Sequence, residues 1–329
     1  MKQKLRTIVG LLLLLMTAAC SHEEEDLPSQ KKVEFEEGGQ QFTIVPLYEE
    51  FLDYSKNAEE NPELNNKGEL FTKVIQPFQS YMNEEDASLS GGMDYTPYFY
   101  PTRKAEAIKE NTAELLERQD EINEIIKSAL VKSAGKLSGD KKTIVVRPAD
   151  PDDSSVSSYL NGAGAVTISK DVILLMLAPE FEKEMLEYVV AHEYHHSIFL
   201  EVDPKGVNLL NSIVFEGKAE SFAVSVFPGV AAPWTEPMEP EEEKAVLEYL
   251  RNNKDSTSSE IYFEFQEGSF KKGIPMWANY KMGFKITESF LKNHPEVPVG
   301  EWTTMTGDEI VRGSDYPDLL ENEIQSREE

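Results

Sequence analysis

Residues 192–196 read His-Glu-Tyr-His-His, inside a stretch that otherwise looks like the middle of a buried helix. Met185, Leu186, Val189, Val190, Ile198, Phe199 and Leu200 flank them, and all are good core formers. Histidine and glutamate in such a setting need partners, because burying an unsatisfied polar group is unfavourable by several kcal/mol, roughly 2–7 for a neutral one. The spacing supplies an answer. On a helix His192 and His196 lie one turn apart on the same face, so both imidazoles can reach one ion. Glu193 stands beside them, where its carboxylate can hold a water against that ion. His195 points away from both and reads as a packing or rim histidine.

A third ligand follows. Glu216 opens Glu216-Gly217-Lys218-Ala219-Glu220, twenty positions after His196 and on the next expected helix. Ile213, Glu216, Gly217, Glu220 and Ala223 share one face of it, and Gly217 would let the two helices approach closely. Two histidines and one glutamate leave the fourth tetrahedral position open, which separates a catalytic zinc site from a structural one. The set His192, His196, Glu216 at this separation resembles the gluzincins, the superfamily of thermolysin-like peptidases. Glu220, one turn on, reads as an acceptor that orients a ligand imidazole through its other ring nitrogen, or else as a surface glutamate. A di-iron site built on Glu193-x-x-His196 would need a second Glu-x-x-His, and neither His22 nor His294 provides one.

Together with Tyr280-Lys281-Met282-Gly283-Phe284-Lys285-Ile286, these motifs resemble the predicted zinc-dependent proteases of domain-of-unknown-function family 2268. There an E-G-x-A segment follows HExxH, and Y-x-x-G-aromatic opens a C-terminal helix. The stretches Met305-Thr306 and Ser314-Asp315-Tyr316 are also similar. The resemblance spans roughly residues 50–320 and is closest over 185–225. It implies a mostly helical α+β fold, a gluzincin-like metallopeptidase core with a small sheet ahead of the HExxH helix. It further implies Zn2+ as cofactor and a peptide or protein as substrate. Glu193 would be the general base, and the developing oxyanion needs a donor, for which Tyr280 is the better candidate and a core tyrosine the alternative. The strand at Gly162–Val166 could take an extended peptide by β-addition, or simply fill an edge. Two other functions stay open: a non-proteolytic zinc-binding envelope lipoprotein acting as an assembly or gliding-type partner, and zinc hydrolysis of a non-peptide substrate.

The N-terminus reads as an address. Lys2, Lys4 and Arg6 precede an apolar run, Ile8 to Met16, that is too short for a mature membrane span. Thr17-Ala18-Ala19 then leads to Cys20, the single cysteine of the chain, in an arrangement that resembles the lipobox of bacterial lipoproteins. Residues 1–19 are thus expected to be a signal peptide and Cys20 a lipidated residue. The acidic run Glu23-Glu24-Glu25-Asp26 resembles a surface-export signal, so the expected location is the cell envelope, at the outer membrane. With one cysteine no disulfide framework is possible. Net charge is −28, and losing three basic residues with the signal takes it to −28 − 3 = −31. A surface that anionic offers no basic stripe, and nucleic acid is excluded as a partner.

Residues 20–45 are expected to be an acidic tether, ending near Phe42–Pro46, with one zinc metallopeptidase-like domain over 46–329. Within it, N-terminal helices would occupy 46–136, broken near Asn61-Pro62, with a single long helix from Lys104 to Lys136. The active-site core would cover 140–230, with strands at Thr143–Val146 and Gly162–Ile168. Helices are expected at about 179–200, 206–227, 239–252 and 275–293, the last within a C-terminal helical part over 239–320.

Overall fold

The computed structural model describes residues 27–61, 66–202 and 208–321. Cys20, the expected signal peptide over 1–19 and the acidic run Glu23–Asp26 lie outside these residues. A five-stranded sheet organises the chain: β1 (Val33–Glu37), β2 (Gln40–Pro46), β3 (Lys142–Pro148), β4 (Ala163–Thr167) and β5 (Val172–Leu177), in the order β1-β2-β3-β5-β4. β2, β3 and β5 run parallel, while β1 and β4 are antiparallel edges.

The tether reading of 20–45 is corrected over residues 33–45. Residues 33–46 form a hairpin whose second strand enters the sheet beside β3. In β1 the apolar Val33 and Phe35 alternate with Glu34, Glu36 and Glu37, and such charge suits a strand that must not pair further. That same charge gave the segment its tether-like composition. Phe35 stacks on Phe42 with ring centroids 5.0 Å apart, fixing the hairpin to the core.

Helices cover both faces of the sheet. On one face α1 (Tyr48–Glu60), α2 (Asn66–Leu70) and α3 (Gln76–Glu84), with a π turn at Phe71–Ile75 between the latter two, pack with α4 (Ala105–Glu117). Phe51, Tyr54, Val74, Phe78 and Ile108 meet Val45, Val145, Val172 and Leu174 there. On the other face α5 (Gln119–Ala134) packs with the later helices over Phe42, Ile44, Ile144, Val146, Ile173 and Leu175. The expected single helix over 104–136 is therefore two, parted at Arg118. The break lets one sequence stripe serve both sheet faces. β5 reads Val-Ile-Leu-Leu-Met-Leu and shows no alternation, because both its faces are buried. That is why it escaped a periodicity reading.

After the short α6 (Ser155–Tyr159) and the β4–β5 pair come α7 (Lys183–Val202) and α8 (Leu209–Val226). α7 is buried from Tyr188 through Ile198 without interruption, between the sheet and α8. The remainder is helical: α9 (Pro240–Asn253), α10 (Ser259–Glu267), α11 (Ala278–Asn293), α12 (Val299–Thr304) and α13 (Gly307–Gly313). α8 and α11 cross backbone to backbone at Gly217 and Gly283. A Cβ on Gly217 would fall 2.0 Å from the Gly283 carbonyl oxygen.

Candidate metal centre

His192 and His196 come from one face of α7, and Glu216 reaches them from α8. Their ligand atoms all lie within 4.8 Å of one another, and all three side chains are buried. His192 Nε2 and His196 Nε2 stand 3.4 and 3.2 Å from the same carboxylate oxygen, Glu216 Oε2. His192 Nδ1 faces Glu220 Oε1 at 2.9 Å, close although not in line for a hydrogen bond. With a hydrogen on Nδ1 toward Glu220, the Nε2 of a neutral ring presents a lone pair. With the His196 lone pair also on Nε2, three acceptors converge on one spot, an arrangement that a cation reconciles. The donor set fits a divalent zinc ion by type, number and convergence.

Electrostatics agrees. Burial opposes a charge on His192, but the Glu220, Glu216 and Glu193 carboxylates outweigh it and hold the imidazole well above its ordinary value. Burial likewise penalises the Glu216 carboxylate, yet His196 and His192 draw it down to about 2. The site is built to keep negative charge on Glu216 and to favour positive charge between the rings.

Glu220 is fully buried and is held by two further donors, the Tyr188 hydroxyl and, at 2.6 Å, Trp234 Nε1. It is no surface glutamate. Glu193 is gripped from the sheet: Thr167 Oγ1, at the end of β4, lies 2.7 Å from Glu193 Oε2 and 2.8 Å from its carbonyl oxygen. His195 is fully buried and stacked on Trp302, with Nε2 3.2 Å from Thr303 Oγ1. That hydroxyl gives its own proton to the Val299 carbonyl, so it accepts from His195. Burial, then the neighbouring His196 and Lys218, press His195 well below its ordinary value. It is a neutral packing histidine.

Three tyrosines surround the carboxylates. Tyr280 sits on α11 with its ring 6.2 Å from that of His192. The Tyr262 hydroxyl, from α10, donates to Glu216 Oε1 at 3.4 Å. Tyr98, from the connection ahead of α4, is raised to about 12 by burial and by Glu193 and Glu216. Burial first, then Glu216, raises Tyr280 and Tyr262 further, so both phenols stay protonated. Of the three, the sequence singled out Tyr280 alone. Tyr98, Tyr262, Thr167, Tyr188 and Trp234 carry no local signal, since the fold brings them in from distant segments. His294 caps the far end of α11, about 20 Å along the helix from Tyr280 at 1.5 Å per residue, and is no part of the site.

The sheet ends here in an unpaired edge, buried at Ala163 (0% exposed) and Thr167 (5%). Ile168 N–H donates to Val172 O, and Ala178 N–H to Gly162 O, both at 2.9 Å, so the even-numbered residues of β4 hold the ladder to β5. Ala165 and Thr167 then turn their N–H and C=O outward. No backbone group among the described residues bonds them there.

Comparison with known proteins adds one finding. A family model described as a predicted Zn-dependent protease, domain-of-unknown-function family 2268, matches residues 122–312. The chain belongs to this family. The span common to family 2268 starts within α5 and ends within α13, shorter at its N-terminal side than the expected 50–320. It contains His192, Glu193, His196, Glu216, Glu220 and Tyr280, while Tyr98 and the β1–β2 hairpin lie outside it. No curated protein and no solved structure matches the chain.

Proposed function

We propose that this chain is a zinc-dependent peptidase, held at the cell envelope as a lipoprotein through Cys20. The observation that carries the reading is the convergence of His192, His196 and Glu216 beside a glutamate, Glu193, that is free of the ligand set and fixed from the sheet. His192, His196 and Glu216 would hold the zinc, and Glu220 sets the ring of His192. A zinc ion in such a site acidifies water and polarises a carbonyl.

The remaining chemistry belongs to the chain. Glu193 takes a proton on its carboxylate from the attacking water and returns it to the amine nitrogen that leaves. Tyr280 and Tyr262, kept neutral by burial and nearby carboxylates, are the O–H donors available to the oxyanion, Tyr280 with its ring against His192. An extended peptide would pair with the unpaired edge of β4 at Ala165 and Thr167, with a backbone amide beside Glu193.

The test is hydrolysis of a diverse peptide mixture by the zinc-loaded chain, beside Glu193→Gln. New peptide termini should form with the wild type, and the variant should bind zinc equally but turn over about 10²–10⁴ times more slowly. Stoichiometric zinc without cleavage would overturn the reading and favour a partner role in the envelope.

A further inference from the structure

Three residues that the proposed chemistry leaves unused meet at one place. His195 is the remaining histidine of 192–196, Lys218 stands inside Glu216–Glu220, and Thr303 lies just ahead of Met305-Thr306. His195 is fully buried and Lys218 is 2% exposed, and both reach the six-residue helix α12. Lys218 Nζ donates to Thr303 O at 3.0 Å and to Met305 O, carbonyls at the C-terminal end of α12. His195 Nε2 donates to Thr303 Oγ1 at 3.2 Å. The His195 ring lies between Trp302 and Phe222, each 5.4 Å away between centroids.

Packing alone would seat α12, but the polar contacts add direction. A buried ammonium is costly unless it is hydrogen-bonded, so Lys218 is held where α12 presents its last carbonyls. α12 in turn is too short to stand on its own hydrogen bonds. The chain beyond it is tied to the first turn of α8, where Gly307 N–H donates to Asn211 Oδ1 at 3.0 Å. Both residues sit beside metal ligands and face elsewhere. At 3.6 residues per turn, Lys218 lies about 200° round α8 from Glu216, and His195 about 100° round α7 from His196. A rotation of α8 that carries Glu216 off the imidazoles therefore pulls Lys218 off Thr303 and Met305. A rotation of α7 that carries His196 away likewise parts His195 from Thr303. One residue thus receives both helices, through its hydroxyl from α7 and its carbonyl from α8.

We infer that α12 braces the metal centre from behind, and that Lys218, His195 and Thr303 are positioning residues that set the spacing of His196 and Glu216. They touch neither the ion nor a substrate. They act by fixing how α7 and α8 are turned toward each other, so that the ligands converge before an ion arrives. The inference rests on the zinc reading of the centre and needs no peptidase activity.

The test measures zinc affinity by competition with a chelating dye, and the visible spectrum of the cobalt(II)-loaded chain, whose bands follow ligand geometry. Lys218→Met keeps a stem beside the Phe199 ring, whose centroid is 5.2 Å from Nζ, and removes the donors. Thr303→Val keeps the shape and removes the hydroxyl, which Thr303→Ser retains. Lys218→Met and Thr303→Val should each weaken zinc binding about tenfold, the lower end for outer partners of a metal site, and shift the cobalt bands. Thr303→Ser should match the wild type in both. Glu85→Gln, which loosens the sheet at Lys32 and Lys141, should lower stability with zinc affinity and cobalt bands unchanged. Should Lys218→Met fail to fold, Thr303→Val against Thr303→Ser decides. Wild-type zinc affinity and unshifted cobalt bands in Lys218→Met and Thr303→Val would reduce α12 to packing and overturn the brace. A wild type that binds no zinc would overturn the zinc reading and the brace together. Zinc bound tightly without any peptide cleavage would sink the peptidase and leave the brace standing.

Discussion

Thr167 has one hydroxyl proton and two acceptors, the carbonyl and the carboxylate of the same residue, Glu193. Given to the carboxylate at 2.7 Å, that proton holds the Glu193 side chain against β4, beside the metal centre. Thr167→Val keeps the shape and removes the donor. It should lower kcat on the order of tenfold with KM and zinc affinity nearly unchanged, and Thr167→Ser should restore most of the rate, as steady-state kinetics with metal titration would show. An equal loss in the serine variant would mean that packing, not the hydroxyl, matters. At this scale the sequence was informative where ligands share a helix. His192, His196, Glu216 and Glu220 could be read from the turn of a helix, and Glu193 from its place in the motif. Thr167 is 26 positions from Glu193, Tyr262 is 46 from Glu216, and Tyr98 precedes both by about a hundred. Only the tertiary fold brings such residues together, so periodicity cannot reveal them.

At the scale of elements, the α8–α11 crossing fixes Glu216 by way of Gly217. Backbone meets backbone there, so nothing flexible can yield to a methyl group. Gly217→Ala should destabilise the protein by about 1–3 kcal/mol, the usual range for overpacking, visible as a lower midpoint in urea, with zinc affinity falling as Glu216 shifts. An unchanged midpoint would show that the crossing is looser than drawn. The hairpin that resembled a tether is pinned by Glu85, which follows α3. Its carboxylate meets Lys32 (2.7 Å) before β1, Thr43 (3.0 Å) on β2 and Lys141 (2.8 Å) before β3. Burial opposes its charge, but Lys141, Lys32 and Thr43 outweigh that and hold the carboxyl at about 2. A carboxyl whose folded value is depressed contributes stability that is full above its unfolded value, about 4.3, and is lost as pH falls toward 2. Glu85→Gln should therefore melt lower than wild type at pH 6, with the gap closing between pH 4.5 and 2 in thermal scans. A gap constant across that range would show that the ion pairs contribute nothing. Elements were legible where one face was polar, as in α9 and α11. They were not where both faces were buried, as in β5, or where charge masked an edge, as in β1.

For the whole molecule, two apolar cores lie back to back across one sheet, and α7 is enclosed between that sheet and α8. Mostly helical α+β was readable from composition and period, but layering on both faces was not, because no single segment records which side of a sheet it covers. The arrangement places three ionisable side chains, His192, His196 and Glu216, within the larger core, where each is at most 8% exposed. Without a metal the carboxylate and the rings must satisfy one another, beside the Tyr188–Glu220 hydrogen bond and the ring contacts that also join α7 to α8. A zinc ion would bond both helices at once and act only on the folded chain, because the unfolded one has its ligands spread over 25 residues. Binding is then linked to folding: at a free concentration a thousand times Kd the gain is about 4 kcal/mol. In a domain of this size each kcal/mol moves Tm by roughly 2–4 °C, so chelation should lower Tm on the order of 10 °C. Glu193→Gln should show the same drop, since it keeps all three ligands. His196→Ala should melt at the chelated value or below, with or without added zinc. If scanning calorimetry gave one Tm for the zinc-loaded and chelated wild type, the three side chains would not form a metal site, and the zinc reading would fall whatever the enzyme assay showed.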